Sequence, residues 1–437
     1  MNVKIKALAF VLMAVLLLCG CGQKSETAAA APAQAVTASA VRSSTARPVS
    51  TGVTPEQFGA KGDGIADDLQ ALQAAMQQAS ASGRPLELTA GAVYRFSSCL
   101  GLPSGLTIQG NGAVLLSDIQ YPDLREDRVA VELMKDSDDD RAHDVRLENV
   151  TFRAADSCQA NYMLRVMFAR NVEFVGCTFD CEPNEWGRCA ADLYGGNENI
   201  RFEGCVFRQM TSGASGGIWV RNWTDRVESR NIRFQNCEFY KSGADELLAV
   251  WGWGGAVRDV VLSGCSFYET QTQEALDADH RPVCFITLGQ SGTTDVRMED
   301  CTVRAEYCET IFRMVGDKTR AVVDNCDITM KQPDSMAEHD MKKGANPMLA
   351  RGNDRADSST VIQNSRITLS GDNGRRICYQ LSALKGNTLD VSLGYGIAST
   401  KEVSGNTIRG RIRHKVFQDC SGVENNNVEV RRFSILG

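Results

Sequence analysis

The sequence predicts an all-β solenoid, in which one chain winds through a stack of short parallel strands, and three observations support this fold class. First, seven segments repeat one template: an apolar/x/apolar pair, a small or polar corner, then, in six of the seven, a cysteine. Second, the period-2 alternation within each segment is typical of a strand. Third, the units recur without a long helical pattern between them. The segments are VRLENVTF (145–152), VEFVGCTF (172–179), IRFEGCVF (200–207), IRFQNCEF (232–239), VVLSGCSF (260–267), VRMEDCTV (296–303) and VVDNCDI (322–328).

One position of this template predicts a ladder of stacked side chains. It is occupied in turn by Val150, Cys177, Cys205, Cys237, Cys265, Cys301, Cys326, Ser365, Asn387, Asn406 and Asn426. The cysteines are 25 to 36 residues apart, which suits coils of two or three short strands. Coils stack about 4.8 Å apart, so equivalent side chains lie above one another. Asparagine suits such a position because its amide both donates and accepts hydrogen bonds along the stack.

The cysteines of the ladder are expected to be buried thiols rather than disulfides. Neighbouring ladder cysteines are close enough in principle to bridge, but a uniform row is more simply explained as a buried row of small side chains. Away from the ladder, a disulfide among Cys158, Cys181 and Cys189 stays an open alternative. No Cys-x-x-Cys or Cys/His group has the spacing of a zinc site.

The N-terminus predicts export and a lipid anchor. Two lysines, an apolar run from Ala7 to Leu18 and small residues form a secretory signal, assigned to residues 1–20. The sequence Leu18-Cys19-Gly20-Cys21 looks like a bacterial lipobox, in which Cys21 is acylated and becomes the new N-terminus; an ordinary signal cut nearby is the alternative. Two or more acyl chains are enough for stable membrane attachment.

Residues 21–52 are predicted to be a disordered tether, because their Ala, Ser, Thr and Pro cannot bury enough apolar surface to fold. The chain has 47 Lys and Arg residues against 54 Asp and Glu, and loss of Lys4 and Lys6 with the signal makes it more acidic still. This balance argues against nucleic acid as a partner. Residues 53–437 form the predicted solenoid domain.

A family resemblance appears at the start of that domain. Residues 54–96 read TPEQFGAKGDGIADDLQALQAAMQQASASGRPLELTAGAVYRFS. This stretch resembles the N-terminal module of the pectate-lyase/polygalacturonase superfamily of right-handed parallel β-helices. The resemblance implies a single-stranded right-handed parallel β-helix with a short N-terminal capping helix. Asp67 is expected to cap that helix, whose apolar stripe would cover the open end of the stack. The stripe consists of Leu69, Leu72, Ala75, Met76 and Ala79.

Two tryptophans are predicted to form a sugar-binding platform. Trp219 and Trp251 each lie fourteen residues after a ladder cysteine, which places them at equivalent positions on adjacent coils. Alternation with apolar neighbours turns both outward, and Trp253 and Arg221 share that parity. Exposed aromatic patches on a soluble surface usually serve binding. The alternative is that a loop covers the indoles and that Arg221 packs over Trp253.

Acidic residues beside this platform are the candidate catalytic groups. Asp245 and Glu246 lie at the corner before the Trp251 strand, where the superfamily's polygalacturonases carry an Asp-Asp pair. On the next coil, Asp279 and His280 are further candidates, and Asp277 would contact substrate. Together the acids could act as a hydrolytic pair or as oxygen ligands for Ca²⁺ in a lyase-type site. A solvated acidic loop is the alternative, and Asp192 is another groove acid or a turn cap.

The rest of the polygalacturonase pattern is absent. Residues 214–217 read Ala-Ser-Gly-Gly where the family has Asn-Thr-Asp-Gly, and 283–285 read Val-Cys-Phe where it has Gly-His-Gly. Residues 313–315 read Arg-Met-Val where it has Arg-Ile-Lys. Inverting hydrolysis needs an acid and a water-holding base on opposite sides of the bond. The sequence thus predicts a surface lipoprotein that binds, and in one hypothesis cleaves, an extracellular polysaccharide, with no cofactor required. The alternatives are a non-catalytic glycan-binding or adhesive protein and a purely scaffolding solenoid.

Overall fold

The structure is a computed structural model that describes residues 52–120, 128–135, 137, 139–181, 189–208, 217–222, 227–241, 246–269, 284–332, 347–353, 355–371 and 374–432. Ser50–Gly437 form one compact unit. The predicted signal, Cys21 and nearly all of the tether lie outside the described residues. Within the described part of the chain, no helix is long and apolar enough to cross a membrane.

The predicted right-handed parallel β-helix is confirmed. Its strands form three strand ladders, and neighbouring strands within each ladder pair in parallel. The first ladder contains β1 (Asp63–Asp67), β3 (Val93–Phe96), β6 (Val114–Ser117), β9 (Thr151–Ala154), β12 (Thr178–Asp180), β15 (Val206–Arg208), β18 (Glu238–Lys241), β20 (Ser266–Glu269), β22 (Thr302–Ala305), β25 (Asp327–Lys331), β28 (Arg366–Ser370), β31 (Thr388–Leu393), β34 (Thr407–Ile412) and β37 (Asn427–Arg431).

The other two ladders are joined by two long strands that run through both. The second contains β4 (Leu100–Gly101), β7 (Val129–Met134), β10 (Tyr162–Met167), β13 (Cys189–Tyr194), β16 (Ile218–Arg221), β19 (Leu248–Ser263), β21 (Cys284–Glu299), β23 (Thr310–Arg313), β26 (Pro347–Arg351), β29 (Arg376–Tyr379), β32 (Tyr395–Ala398) and β35 (Phe417–Gln418). The third contains β2 (Leu86–Glu87), β5 (Thr107–Gln109), β8 (Ala142–Glu148), β11 (Ala169–Val175), β14 (Glu198–Glu203), β17 (Ser229–Gln235), β24 (Lys318–Asp324), β27 (Ser359–Gln363), β30 (Ala383–Lys385), β33 (Glu402–Ser404) and β36 (Val423–Glu424). The second halves of β19 and β21 complete this ladder.

The N-terminal cap forms as expected, with one change. After a 3-10 turn at Pro55–Phe58, the helix α1 spans Leu69–Ser82, and its whole predicted apolar stripe is buried. Asp68, not Asp67, occupies the N-cap position. Asp67 still accepts the Leu69 N–H through Oδ1 at 3.2 Å. The Asp68 carboxylate instead accepts the backbone N–H groups of Lys61 and Gly62, and so it fixes the loop that leads into the helix.

The residue before each position of the predicted ladder makes the corner. All of these residues have a positive φ between 51° and 65°, in the left-handed region that Gly, Asn and Asp tolerate best. This requirement explains the "small or polar corner" of the template. The corner residues are Asn149, Gly176, Gly204, Asn236, Gly264, Asp300, Asn325, Asn364, Gly386, Gly405 and Asn425.

The predicted ladder of stacked side chains is hydrogen-bonded and is buried from Val150 to Asn406. The six ladder cysteines are at most 2% exposed and are thiols, and each Sγ donates to a carbonyl of the preceding coil, as Cys205 does to Phe174 at 3.3 Å. Further along, Asn387 Nδ2 donates to Asn406 Oδ1 at 3.0 Å, and Asn406 Nδ2 donates to Asn426 Oδ1 at 2.9 Å. The disulfide left open among the off-ladder cysteines is not formed: all three of those residues are thiols.

Stacked phenylalanines fill the interior on both sides of the cysteines. Successive rings are nearly parallel, with centroids 4.6 to 5.0 Å apart, the spacing that coil stacking imposes. Edge-to-face contacts join the two stacks across the core. The first-ladder stack is Phe152, Phe179, Phe207, Phe239 and Phe267, and the third-ladder stack is Phe174, Phe202 and Phe234.

Candidate functional site

The outward side of the second ladder gathers charged and aromatic side chains that alternate with the apolar core. In β16, Ile218 and Val220 are fully buried in the core, which turns Trp219 and Arg221 outward. The same alternation operates in β10 and β13. The resulting aromatic–arginine cluster consists of Tyr162, Arg165, Asp192, Tyr194, Trp219 and Arg221.

Asp192 is the centre of this cluster. Arg221 Nε donates to its Oδ1 at 2.7 Å, and Arg221 Nη2 donates to its Oδ2 at 2.8 Å. Arg165 donates to Oδ2 from the other side, at 3.0 Å. Asp192 is 0% exposed and both arginines are below 8%. One buried carboxylate is therefore shared by two buried guanidinium groups, which bond both of its oxygens.

Aromatic rings surround the two guanidinium groups. The Arg221 guanidinium carbon lies 4.1 Å from the Trp219 ring centroid, and that of Arg165 lies 4.3 Å from the Tyr162 ring. Burial alone would lower the pKa of Arg221, but the hydrogen bonds and charge of Asp192 outweigh burial and raise that pKa. Burial also raises the pKa of Tyr162. The cluster is thus a set of aromatic rings packed around two guanidinium groups and one carboxyl group.

The aromatic surface continues from this cluster towards solvent. The Trp219 and Trp251 rings stack with centroids 5.6 Å apart and planes 27° apart, and Trp253 meets Trp251 edge-on at 6.2 Å. Exposure rises along the row: Trp219 is 7% exposed, Trp251 is half-buried and Trp253 is 57% exposed. The indole Nε1 atoms of Trp219 and Trp251 are buried and have no hydrogen-bond partner among the residues that the structure describes.

Two details of the predicted platform are wrong. In register, Trp219 lies beside Ala249, and Trp251 lies beside Arg221. The rings contact because they are diagonal neighbours on one face, not because their positions are equivalent. Trp219 is also buried rather than exposed, so the accessible part of the platform is formed by Trp251 and Trp253. Arg221 lies over Trp219.

Glu246 lies further along the same ladder and is fixed by two donors. Its Oε1 accepts from Thr287 Oγ1 at 2.7 Å and from Arg313 Nη1 at 3.1 Å. Arg313 Nη1 also donates to Gln290 Oε1 at 3.1 Å. Glu246 is 4% exposed. These two hydrogen bonds to one carboxylate oxygen fix the orientation of the Glu246 side chain.

The other predicted catalytic and substrate-binding acids lie outside the described residues. They are Asp245, Asp277, Asp279 and His280. Among the residues that the structure describes, no three His, Cys, Asp or Glu side chains are grouped as they would be around a metal ion.

Asp192 is not a turn cap, because it lies inside β13. It is not an exposed groove acid either, because it is buried and accepts hydrogen bonds from two arginines. Sequence reasoning missed Arg165, Tyr162 and Tyr194 altogether. The signal was available in the alternation of YMLRVM (162–167) and CAADLY (189–194), where polar residues interrupt apolar ones. Those strands do not contain the repeated template, so the repeat pattern does not single them out.

A family model for rhamnogalacturonase A/epimerase, pectate lyase-like proteins matches residues 53–272, just over half of the 437 residues. The chain belongs to this family. The match begins at the N-terminal cap and extends past β19, so the rhamnogalacturonase A/epimerase-like region includes the cluster, the tryptophan row and Glu246. No curated protein matches the chain by sequence.

Three solved structures are similar to this family member. The Streptococcus pneumoniae surface protein and adhesin PfbA is 14% identical, with a TM-score of 0.57 over 87% of this chain and 100% of that one. A Yersinia enterocolitica family 28 exopolygalacturonase is 12% identical over 88% and 79% of the two chains, with a TM-score of 0.44. The tailspike of Escherichia coli bacteriophage HK620, solved with a hexasaccharide, is 13% identical over 86% and 80%, with a TM-score of 0.43.

Proposed function

We propose that the protein is an exported lipoprotein, anchored to the bacterial cell surface or membrane through Cys21, that binds an extracellular polysaccharide. The binding surface is the outward side of the second ladder. The observation that carries this proposal is the graded row from buried Trp219 to exposed Trp253, joined at its buried end to fixed arginines.

The row has the properties that a sugar chain requires. Aromatic faces bury the apolar face of a pyranose ring, while nearby polar groups fix its orientation. Trp251 offers a half-buried ring, and Trp253, which is 57% exposed, extends the surface by one more ring. Because the Trp219 ring stacks on the Trp251 ring and holds it in place, little side-chain entropy is lost when a sugar binds.

Binding without cleavage is the function that the described residues favour. Asp192 is fully buried against two arginines and Glu246 is only 4% exposed, so neither carboxyl group is open to solvent as the acids of glycoside hydrolysis are. PfbA, whose fold this chain shares, is named a surface protein and adhesin. That name is compatible with a β-helix that acts by attachment.

Polysaccharide cleavage is the second candidate. One observation favours it: Glu246 is held in place beside the binding row, at the corner where related enzymes keep their catalytic pair. In this account Glu246 is the base or nucleophile, and Asp245, Asp279 and His280 supply the acid, with Asp277 contacting the substrate. Ca²⁺ held by these acids is the lyase-type variant of the same proposal.

The experiment that tests these proposals is incubation of the folded protein with a panel of pectic and other glycans, with and without Ca²⁺. Binding is measured by affinity electrophoresis, hydrolysis by new reducing ends, and elimination by the ultraviolet absorbance of an unsaturated uronate. Retarded migration without new ends supports the binding function. New ends or absorbance that disappear in Glu246→Gln support cleavage. If no glycan of the panel retards the migration of the folded protein, both proposed functions are contradicted.

A further inference from the structure

A cavity of about 560 Å³ lies on the outward side of the third ladder, separate from the residues assigned to glycan binding. We call it the third-ladder pocket. It is lined by Arg258, Thr293, Lys318, Arg320, Asp357 and Ser359, among others.

The parallel register collects three cations in this pocket. Thr293 in β21 is the register partner of Lys318 in β24, and Arg320 in β24 is the partner of Ser359 in β27. Arg258 comes from β19, one coil earlier. Since adjacent strands lie about 4.8 Å apart, four consecutive coils bring these side chains within reach of one ligand.

Within the described part of the chain, two of the three cations, Lys318 and Arg320, form no salt bridge. Arg258 donates through Nε to Glu228 Oε2 at 2.8 Å. Among the described residues, no carboxylate oxygen lies within 4.0 Å of the side-chain nitrogens of Lys318 or Arg320. Asp295, the register partner of Arg320, forms no ion pair with it. Lys318 and Arg320 are both exposed and so available to a ligand.

The remaining lining groups are suited to hydroxyl-bearing ligands. Asp357 is exposed and can accept hydrogen bonds from sugar hydroxyls, while Thr293 and Ser359 can donate or accept. The volume falls within the range of about 300–1,000 Å³ typical of small-molecule sites and is far larger than one phosphate ion needs. Guanidinium and ammonium groups together recognise phosphate oxygens.

We propose that the third-ladder pocket binds a sugar phosphate. The phosphate group lies between Lys318 and Arg320, with Arg258 as a third cation, and the sugar hydroxyls face Asp357 and Ser359. The sugar phosphate can be a free monosaccharide or a phosphorylated unit of a polysaccharide, since both present the same chemistry. The pocket acts independently of the second-ladder surface.

Isothermal titration calorimetry at low salt tests this assignment with mannose 6-phosphate, mannose and inorganic phosphate. Mannose 6-phosphate should bind, mannose should give no measurable heat, and phosphate should bind at least several-fold more weakly than the sugar phosphate. Raising the salt concentration should weaken binding, because exposed charges are screened. Parallel titrations with phosphomannan and unphosphorylated mannan show whether the polymer-borne group is preferred.

Three variants make the test specific to the pocket. Lys318→Gln combined with Arg320→Gln should lower the affinity for mannose 6-phosphate at least tenfold. Arg297→Gln, at an exposed arginine of β21 outside the pocket, should leave it unchanged. Asp357→Asn should strengthen the binding of inorganic phosphate, because it removes a repelling charge. The ratio of the affinity for mannose 6-phosphate to the affinity for inorganic phosphate should therefore fall.

Circular dichroism of each variant establishes that it is folded. The assignment is overturned if the folded protein does not bind mannose 6-phosphate, or if the folded double variant binds it as tightly as the wild type. Equal affinities for inorganic phosphate and mannose 6-phosphate would overturn the sugar assignment.

Discussion

Arg221 donates two parallel hydrogen bonds to Asp192, and both side chains are buried on the outward side of a β-sheet rather than in the core. Replacing Asp192 by Asn removes the carboxylate that Arg165 and Arg221 share at this buried site. We expect a loss of about 3–5 kcal/mol in the free energy of unfolding, the cost typical of breaking a buried ion pair. Urea unfolding followed by circular dichroism measures it.

Glu198→Gln is the matched control for this prediction. The Glu198 carboxylate also pairs with two arginines, Arg230 at 2.7 Å and Arg141 at 3.2 Å, but at a partly exposed site. Its replacement should cost at most about 1 kcal/mol. If Asp192→Asn is as stable as this control, the cluster does not brace the second-ladder face.

The ladder thiols should be protected in the folded protein and reactive in the unfolded one. Because they are buried, iodoacetamide should not label Cys177, Cys205 or the other four ladder cysteines under native conditions. Burial raises the pKa of Cys378 to about 12, so this off-ladder thiol should also resist labelling at pH 9. Partly exposed Cys420 is the positive control.

Mass spectrometry of peptides from native and denatured samples gives the count of labelled thiols. Denaturation without a reducing agent should release all six ladder thiols for labelling. A disulfide between any two of them would contradict the packing described for this wall.

The hydrogen bond from Tyr94 to Glu56 should make stability at the N-terminal cap depend on pH. Tyr94 Oη donates to Glu56 Oε1 at 2.6 Å. Partial burial would raise the pKa of Glu56, but hydrogen bonds from Tyr94 and its neighbours outweigh burial and lower it. A lowered folded-state pKa contributes stability above the unfolded-state pKa, and that contribution is lost as pH falls through the folded-state value.

We therefore expect Tyr94→Phe to lose about 1–2 kcal/mol near pH 7, with a smaller difference from the wild type near pH 3. Chemical unfolding at the two pH values measures this. Tyr268→Phe, at a partly exposed tyrosine on β20, should show little loss at either pH. A Tyr94→Phe difference that grows towards pH 3 would contradict the assigned interaction.

Lipid attachment should depend on Cys21 alone. Wild-type protein expressed in its own export pathway should partition into the detergent phase of Triton X-114. Cys21→Ser should leave an uncleaved precursor or a released form. Full processing of the variant with continued partitioning into detergent would show that the anchor lies elsewhere.

The ladder could be predicted from the sequence because every coil repeats the same short template before and after one residue. The left-handed corner fixes the backbone immediately before Cys205 or Cys237. The side chain that follows the corner therefore has the same place and the same inward direction on every coil. The strands of the second ladder follow loops of unequal length. Counting residues from the ladder cysteine therefore does not identify equivalent positions in these strands. Ile218 lies thirteen residues after its ladder cysteine, whereas its register partner Leu248 lies only eleven after Cys237. Counting therefore displaced Trp251 by two residues.

A displacement of two residues leaves a strand side chain on the same face. The prediction that Trp251 and Trp253 face outward is therefore unaffected. Burial of Trp219 could not be predicted, because it depends on how Tyr162 and Arg221 pack around that ring. Pairing of Asp192 with two arginines likewise depends on a register between strands that share no template. Glu246 was located by family resemblance, but its contact with Arg313 links residues 67 positions apart in the sequence.

The most direct test of the account is the affinity of Trp253→Ala and Trp251→Ala for a glycan that the wild-type protein binds. Each should weaken binding by about 1–3 kcal/mol, the scale for losing an aromatic contact, without a change in circular dichroism. Tyr268→Ala is the matched control, since Tyr268 stacks on Tyr240 at 5.2 Å on the first ladder. Unchanged affinity in both tryptophan variants, or an equal loss in Tyr268→Ala, would contradict the assignment of the second-ladder face.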